Sequence, residues 1–295
     1  PRLQEGQGHR SELYLGAPIM TPGFLAQPIV SSRYDQSFFL LGAWLFPFGL
    51  WAVASAHPSG PFAALLLFKL VDYAHIVVTW PFVLFDRQTM AREGVFYGVG
   101  FAVILALSAV ATAAGKQGQV IWWSIFIYWG AFHIVRQHYG FLRLYQARQR
   151  PRRARTGRAE VWCLYTGTAF PYLLNLNQGW ALHAAVEAGE VFAVPVPGAA
   201  VVVCGGLFVV ALGATIFEAI AAYRAGEPVG ALRLLTLGLA VSNFWIGLLV
   251  YGKHDALHAM LFITSTHNVQ YLAIIGYVAR RRYTAEGARE NPLAQ

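Results

Sequence analysis

His75, His133 and His267 fall near the middle of three separate apolar stretches of the chain. Ionisable side chains inside a bilayer are costly and mark ion paths, proton relays or ligand sites. Neutral imidazole is the commonest protein metal ligand. Counted from the outer starts of their stretches, all three lie about fourteen residues in, roughly 20 Å at the rise of an α-helix. Three imidazoles at one depth on three helices predict a buried metal or cofactor centre.

Each histidine has polar company. On the second apolar stretch Asp72 and His75 are three residues apart and share a helix face, which Thr79 continues. The Asp72 carboxylate is a candidate second ligand or orienting group for His75, and Lys69, one turn before it, a candidate counter-charge. On the fourth stretch His133 and Gln137 share a face bordered by Arg136. Arg136 and Gln137 are expected inside the bundle, anchoring the polar end of a substrate. His138 is rotated about 140° from His133 and points to the inner headgroups, although it is counted among the possible ligands. On the eighth stretch His267, Gln270 and Tyr271 form one face, and His254 and His258 have the spacing of a chelating pair at the outer interface. His258 and His267 lie on opposite faces of an ideal helix, so either that span has two polar faces or it unwinds near Thr264-Ser265-Thr266.

The elements that must hold these groups are membrane helices. The chain is 57% hydrophobic and only 12% charged, against about 25% charged in ordinary soluble domains. Long apolar runs, near the roughly 20 residues a span requires, predict an all-α polytopic bundle of about eight transmembrane helices: 36–57, 61–85, 95–114, 119–147, 160–176, 199–223, 231–251 and 254–280. The bundle as a domain covers 35–283. Residues 1–34 read as an irregular cytoplasmic arm, 284–295 as a tail, and 179–192 as a surface amphipathic helix.

Basic residues alternate with this pattern. The segments assigned to the cytoplasm hold nearly all of the 22 Lys and Arg, including Arg33, Arg87, the cluster from Arg143 to Arg158, Arg224, Arg233 and Arg280–Arg282. The opposite loops hold only Lys116 and Lys253. That asymmetry places both termini in the cytoplasm, as in a bacterial inner-membrane protein. It also explains the net charge of +8 through anionic lipid, with no nucleic-acid partner. Cys163 and Cys204 fall within spans and read as free thiols.

The histidine constellation resembles that of integral-membrane histidine-motif enzymes, the fatty-acid desaturases and alkane hydroxylases, through the HxxxH run His254-Asp255-Ala256-Leu257-His258. Their HxxHH boxes are absent, and the pair lies on the outer side here, whereas the family's boxes face the cytoplasm. In helix count and intramembrane histidines the chain is also similar to the Brp/Blh-type carotenoid dioxygenases. That likeness implies one iron held by His75, His133 and His267.

The expectation is therefore a metal-dependent membrane oxidoreductase of oxygenase, desaturase or hydroxylase type. It holds non-haem iron, with zinc or copper as alternatives, takes a lipophilic substrate from the lipid, and works with a possible redox partner. Two histidines on facing helices equally suit a haem- or chlorin-binding electron-transfer subunit. The polar path Lys253, His254, Asp255, His258, Lys69 and Asp72 suits a proton-coupled transporter, and a structural subunit is the last alternative.

Overall fold

The computed structural model describes residues 28–84, 86–148, 157–179, 189, 191–192, 194–227, 229–251 and 256–283. Among these residues there are helices and no strands. The eight long helices are α1 (Ser32–Ala56), α2 (Gly60–Leu84), α3 (Arg87–Ala113), α4 (Gly115–Arg148), α5 (Arg158–Gln178), α6 (Gly198–Arg224), α7 (Ala231–Tyr251) and α8 (Ala256–Tyr283). A chain this apolar has little choice: in hydrocarbon every backbone N–H and C=O must be satisfied internally, and a helix does that within one segment.

Five of them are long and apolar enough to cross a membrane: α1, α2, α3, α6 and α7. The other three are α4, α5 and α8. These carry the buried polar side chains His138, Glu160, Asn175 and the run Ser265 to Gln270. These buried polar groups, together with exposed charged residues toward the helix ends such as Lys116, Arg143, Arg158 and Arg281, lower their hydropathy.

The helices extend beyond the boundaries expected from hydropathy. α1 begins at Ser32, inside the segment assigned to the arm, because the Ser31 hydroxyl caps the Tyr34 N–H at 3.2 Å. α3 begins at Arg87 and not near 95. α5 runs on past Pro171 to Gln178, so Asn175 does not end the helix. The arm 1–27, the tail 284–295 and most of 179–192 lie outside the described residues.

α8 is the centre of the arrangement. It packs against α1, α2, α4 and α7. α5 and α6 form the tightest pair on the far side, and α3 covers α2 and α4 from outside. The α5–α6 approach depends on small residues: a Cβ on Gly167 would stand 2.7 Å from the Phe208 ring, and one on Gly205 2.8 Å from the Phe170 ring. Without a hydrophobic force between helices in lipid, such close packing is what holds them together.

α1 and α7 each contain a π-helical stretch, Asp35–Leu41 and Ile246–Tyr251. Wide turns loosen the regular hydrogen-bond ladder, and each is met by an amide from another helix. Gln270 on α8 donates to the Phe39 carbonyl at 2.7 Å, and Asn175 on α5 donates to the Leu248 carbonyl at 3.1 Å.

The Arg-rich ends of the helices are tied by buried polar contacts. Asp35 is fully buried. Its carboxylate accepts from the Ile29 and Val30 N–H groups at 2.7 and 3.1 Å and from the Tyr145 hydroxyl at 2.9 Å. Arg233, placed by charge counting in a cytoplasmic loop, is instead buried within α7, 2.7 Å from the buried Glu160 of α5. Gln146 of α4 donates to the same carboxylate.

Breaking a buried pair by removing one partner costs about 3–5 kcal/mol, whereas replacing both with apolar groups is nearly neutral. Arg233→Ala is accordingly expected to lower stability by about that amount, read by SDS titration in mixed micelles, and Arg233→Met with Glu160→Met to recover most of it. Equal stability of Arg233→Ala and wild type would show that the pair does not hold α5 to α7.

Candidate metal centre

The three histidines come from α2, α4 and α8, which meet because side-chain-to-backbone bonds fix their register. Gln137 on α4 donates to the His267 carbonyl at 2.9 Å. On the other side Thr266 donates to the Ala43 carbonyl of α1 at 2.9 Å. α2 is joined to α8 through Asn268, whose amide donates to Asp72 at 3.1 Å, and through the Thr79 and Tyr271 hydroxyls, 2.8 Å apart.

The result is a three-imidazole cluster. Ring centroids are separated by 4.8 Å for His75–His267, 5.0 Å for His133–His267 and 6.5 Å for His75–His133. One ring nitrogen from each lies within 4.8 Å of the other two. Metal–imidazole bonds of about 2.0–2.1 Å demand nitrogens no more than roughly 4 Å apart, so small ring rotations complete a site. Two of the rings present buried nitrogens that need a partner: His75 Nε2 and His267 Nδ1 have no hydrogen bond. The donor set therefore fits a transition metal bound by neutral imidazole.

The cluster is graded from interior to surface. His267 is 2% exposed, His75 half-buried and His133 exposed. α2 and α4 do not pack closely on each other, and only α3 bridges them from outside. His133 lies on an exposed face of the bundle.

The other residues expected at the site have different duties. Asp72 does not join the histidines: one oxygen binds Lys69 at 3.0 Å and the other accepts from Asn268. Instead it locks α2 to the residue after His267. Gln137 is likewise spent on the α8 backbone. Arg136 does not point into the bundle: it is exposed, donates to the Tyr165 hydroxyl at 2.9 Å, and lies 4.8 Å from the Tyr139 ring centroid.

His138 is fully buried and not at the protein surface. It stands outside the three-histidine group, and neither of its ring nitrogens has a hydrogen-bond partner among the described residues. Asn243, buried on α7, has both amide atoms unpartnered in the same way.

On α8 the helix is continuous through Thr264-Ser265-Thr266, with no unwinding. Gln270 turns to α1, and only Tyr271 stays beside the cluster, with its ring 4.3 Å from that of His75. His254 and the side chain of His258 lie outside the described residues. Asn268 went unremarked in the sequence. Its signal was position: it directly follows a candidate ligand, and a buried amide there needs a partner on a neighbouring helix.

No protein-family model matches the chain, and no curated protein or solved structure is significantly similar to it. The chemistry of the site thus rests on its own residues.

The α2–α8 register is open to a direct check. With Cys163 and Cys204 replaced by Ala, Asp72→Cys combined with Asn268→Cys is expected to form a disulfide under mild oxidation, seen as loss of both maleimide-reactive thiols. Free thiols persisting in the oxidised protein would contradict the described packing of α2 on α8.

Proposed function

We propose that the protein is an intramembrane metal-dependent oxidoreductase, of oxygenase, desaturase or hydroxylase type, acting on a lipophilic substrate. The observation that carries this reading is the convergence of His75, His133 and His267 within 4.8 Å. Iron is the first candidate and copper the redox-active alternative; zinc, which has no redox chemistry, would fit the donor set but not this reaction. A metal there would leave open positions and supply one-electron chemistry toward dioxygen, with electrons from a redox partner.

The chain's own residues support this over the competing chemistries. A hydrolytic zinc site needs a base for its water, and Asp72, one turn before His75, is taken by Lys69 and Asn268. Haem ligation needs two imidazoles on opposite sides of a flat macrocycle. Three nitrogens within 4.8 Å of one another put the third where the porphyrin would lie. Tyr271, held by Thr79, backs His75 and fixes the position of its ring. The exposure of His133 gives an apolar substrate a route from lipid without crossing water.

The same reading takes all eight helices as spans, with both termini on the cytoplasmic side of a bacterial inner membrane. Arg33, Arg87, Arg148, Arg158 and Arg224 then share one face of the bilayer.

The test is elemental analysis with a visible spectrum on protein purified in mild detergent. About one iron or copper per chain without a Soret band is expected, falling below a tenth of that in His75→Ala, His133→Ala and His267→Ala. His138→Leu is expected to keep full metal content. Stoichiometric metal retained in the His133→Ala protein, or a wild type that takes up no metal on reconstitution, would overturn the proposal.

A further inference from the structure

The lipid-facing stripe of α4 is apolar for four turns and then meets one charge. Ile121, Ile125, Trp129 and Phe132 succeed each other at helical spacing, all exposed, and Arg136 follows one turn after Phe132. With Phe192 and Val194 the four apolar side chains line a cavity of about 610 Å³. Its far end is fixed in place: the Phe192 N–H donates to the Ser124 hydroxyl at 2.8 Å, and the Tyr128 hydroxyl donates to the Phe192 carbonyl at 2.8 Å. His133 borders the stripe, one turn beyond Trp129 and three residues before Arg136.

Arg136 lies about twelve residues, roughly 18 Å of helix, from the Arg148 end of α4. A guanidinium facing hydrocarbon at that depth is costly without an opposite charge. Tyr165 and Tyr139 supply a hydroxyl and a ring face, neither of which carries one. Among the described residues no carboxylate pairs with Arg136. The guanidinium fork matches a carboxylate in two-point geometry. From Arg136 to Ile121 the stripe runs roughly 22 Å, the reach of one extended long acyl chain, and it is one helix stripe wide.

We propose that this groove binds a single-chain amphiphile with a carboxylate head. The head sits on Arg136 and the chain runs past His133 toward Phe192. That the bound chain is the substrate rests on the three-histidine centre proposed above; the binding itself requires no metal. The arrangement presents chain carbons near the head group to the exposed side of His133. The occupant is chosen by charge and width: an uncharged hydrocarbon leaves the arginine unpaired, and a two-chain phospholipid is wider than the stripe.

The experiment uses the full chain in phosphatidylcholine nanodiscs, with a spin-labelled stearic acid and its methyl ester as probes. The immobilised fraction is read by electron paramagnetic resonance. Wild type is expected to bind the acid about tenfold more tightly than the ester, the scale of one charged hydrogen-bonded contact. Arg136→Gln is expected to abolish that preference without changing ester binding, and Arg136→Lys to keep most of it. Trp129→Ala should weaken both probes.

Equal binding of acid and ester by wild type would overturn the proposal. So would competition by phosphatidylglycerol as strong as by unlabelled stearate, which would give the groove to bilayer lipid. Metal content of the same samples separates the two readings. Arg136→Gln with full metal and no acid preference supports the groove. Acid preference in a wild type that holds no metal leaves the groove standing and removes the metal centre.

Discussion

Hydrocarbon offers no hydrogen bonds, and this constraint organises the whole bundle. A polar group inside must find its partner within the protein, on its own helix, as Thr168, Thr215 and Thr236 do, or on another. The bonds that result are mostly from side chains to backbone: Gln137 to His267, Thr266 to Ala43, Gln270 to Phe39, Asn175 to Leu248, and the Trp245 indole to Gly167 at 2.9 Å. Each joins two helices at a defined height. The three histidines are brought level by this ladder of contacts, because apolar packing alone would let the helices slide.

The same constraint separates two kinds of polar residue. Most of those around the cluster are consumed by the architecture: Asp72, Gln137, Asn268 and Gln270 all have structural partners. On His75 and His267 the buried nitrogens Nε2 and Nδ1 have no partner, and the same holds for Asn268 Oδ1 and Gln270 Oε1, whose amide nitrogens are bonded. In a native bundle buried polar atoms without partners are few. Such atoms also occur on His138, Asn243 and Ser265, and what sets this cluster apart is that three ring nitrogens lie within 4.8 Å of one another.

Much of the fold was legible in the chain itself. Apolar run lengths located the eight long helices, of which five are long and apolar enough to cross a membrane. The meeting of the three histidines was legible too, since residue counts along the helices put them level with one another. Direction was harder to read. Shared faces grouped Asp72 with His75 and Gln137 with His133, but a helical face spans a wide arc, and the choice between site and neighbour belongs to the partner helix. Arg136 shows this well: it borders the His133 face, yet it turns outward to Tyr165. The buried Glu160–Arg233 pair was hidden for a related reason. Arg233 sits two residues into a helix, where charge counting sees only a basic loop. The π-helical stretches left no signal in hydropathy, which depends on composition and is blind to the winding of the backbone.

Those two stretches carry a consequence for how the bundle is assembled. A wide turn gains little within a lone helix, because the carbonyls it loosens have nothing to bind in lipid. Phe39 and Leu248 acquire their partners only when α8 and α5 dock. Rewinding therefore belongs to association of the helices and not to their insertion. Gln270 follows Phe39 by 231 residues. The winding around Phe39 thus waits on a side chain made much later in synthesis.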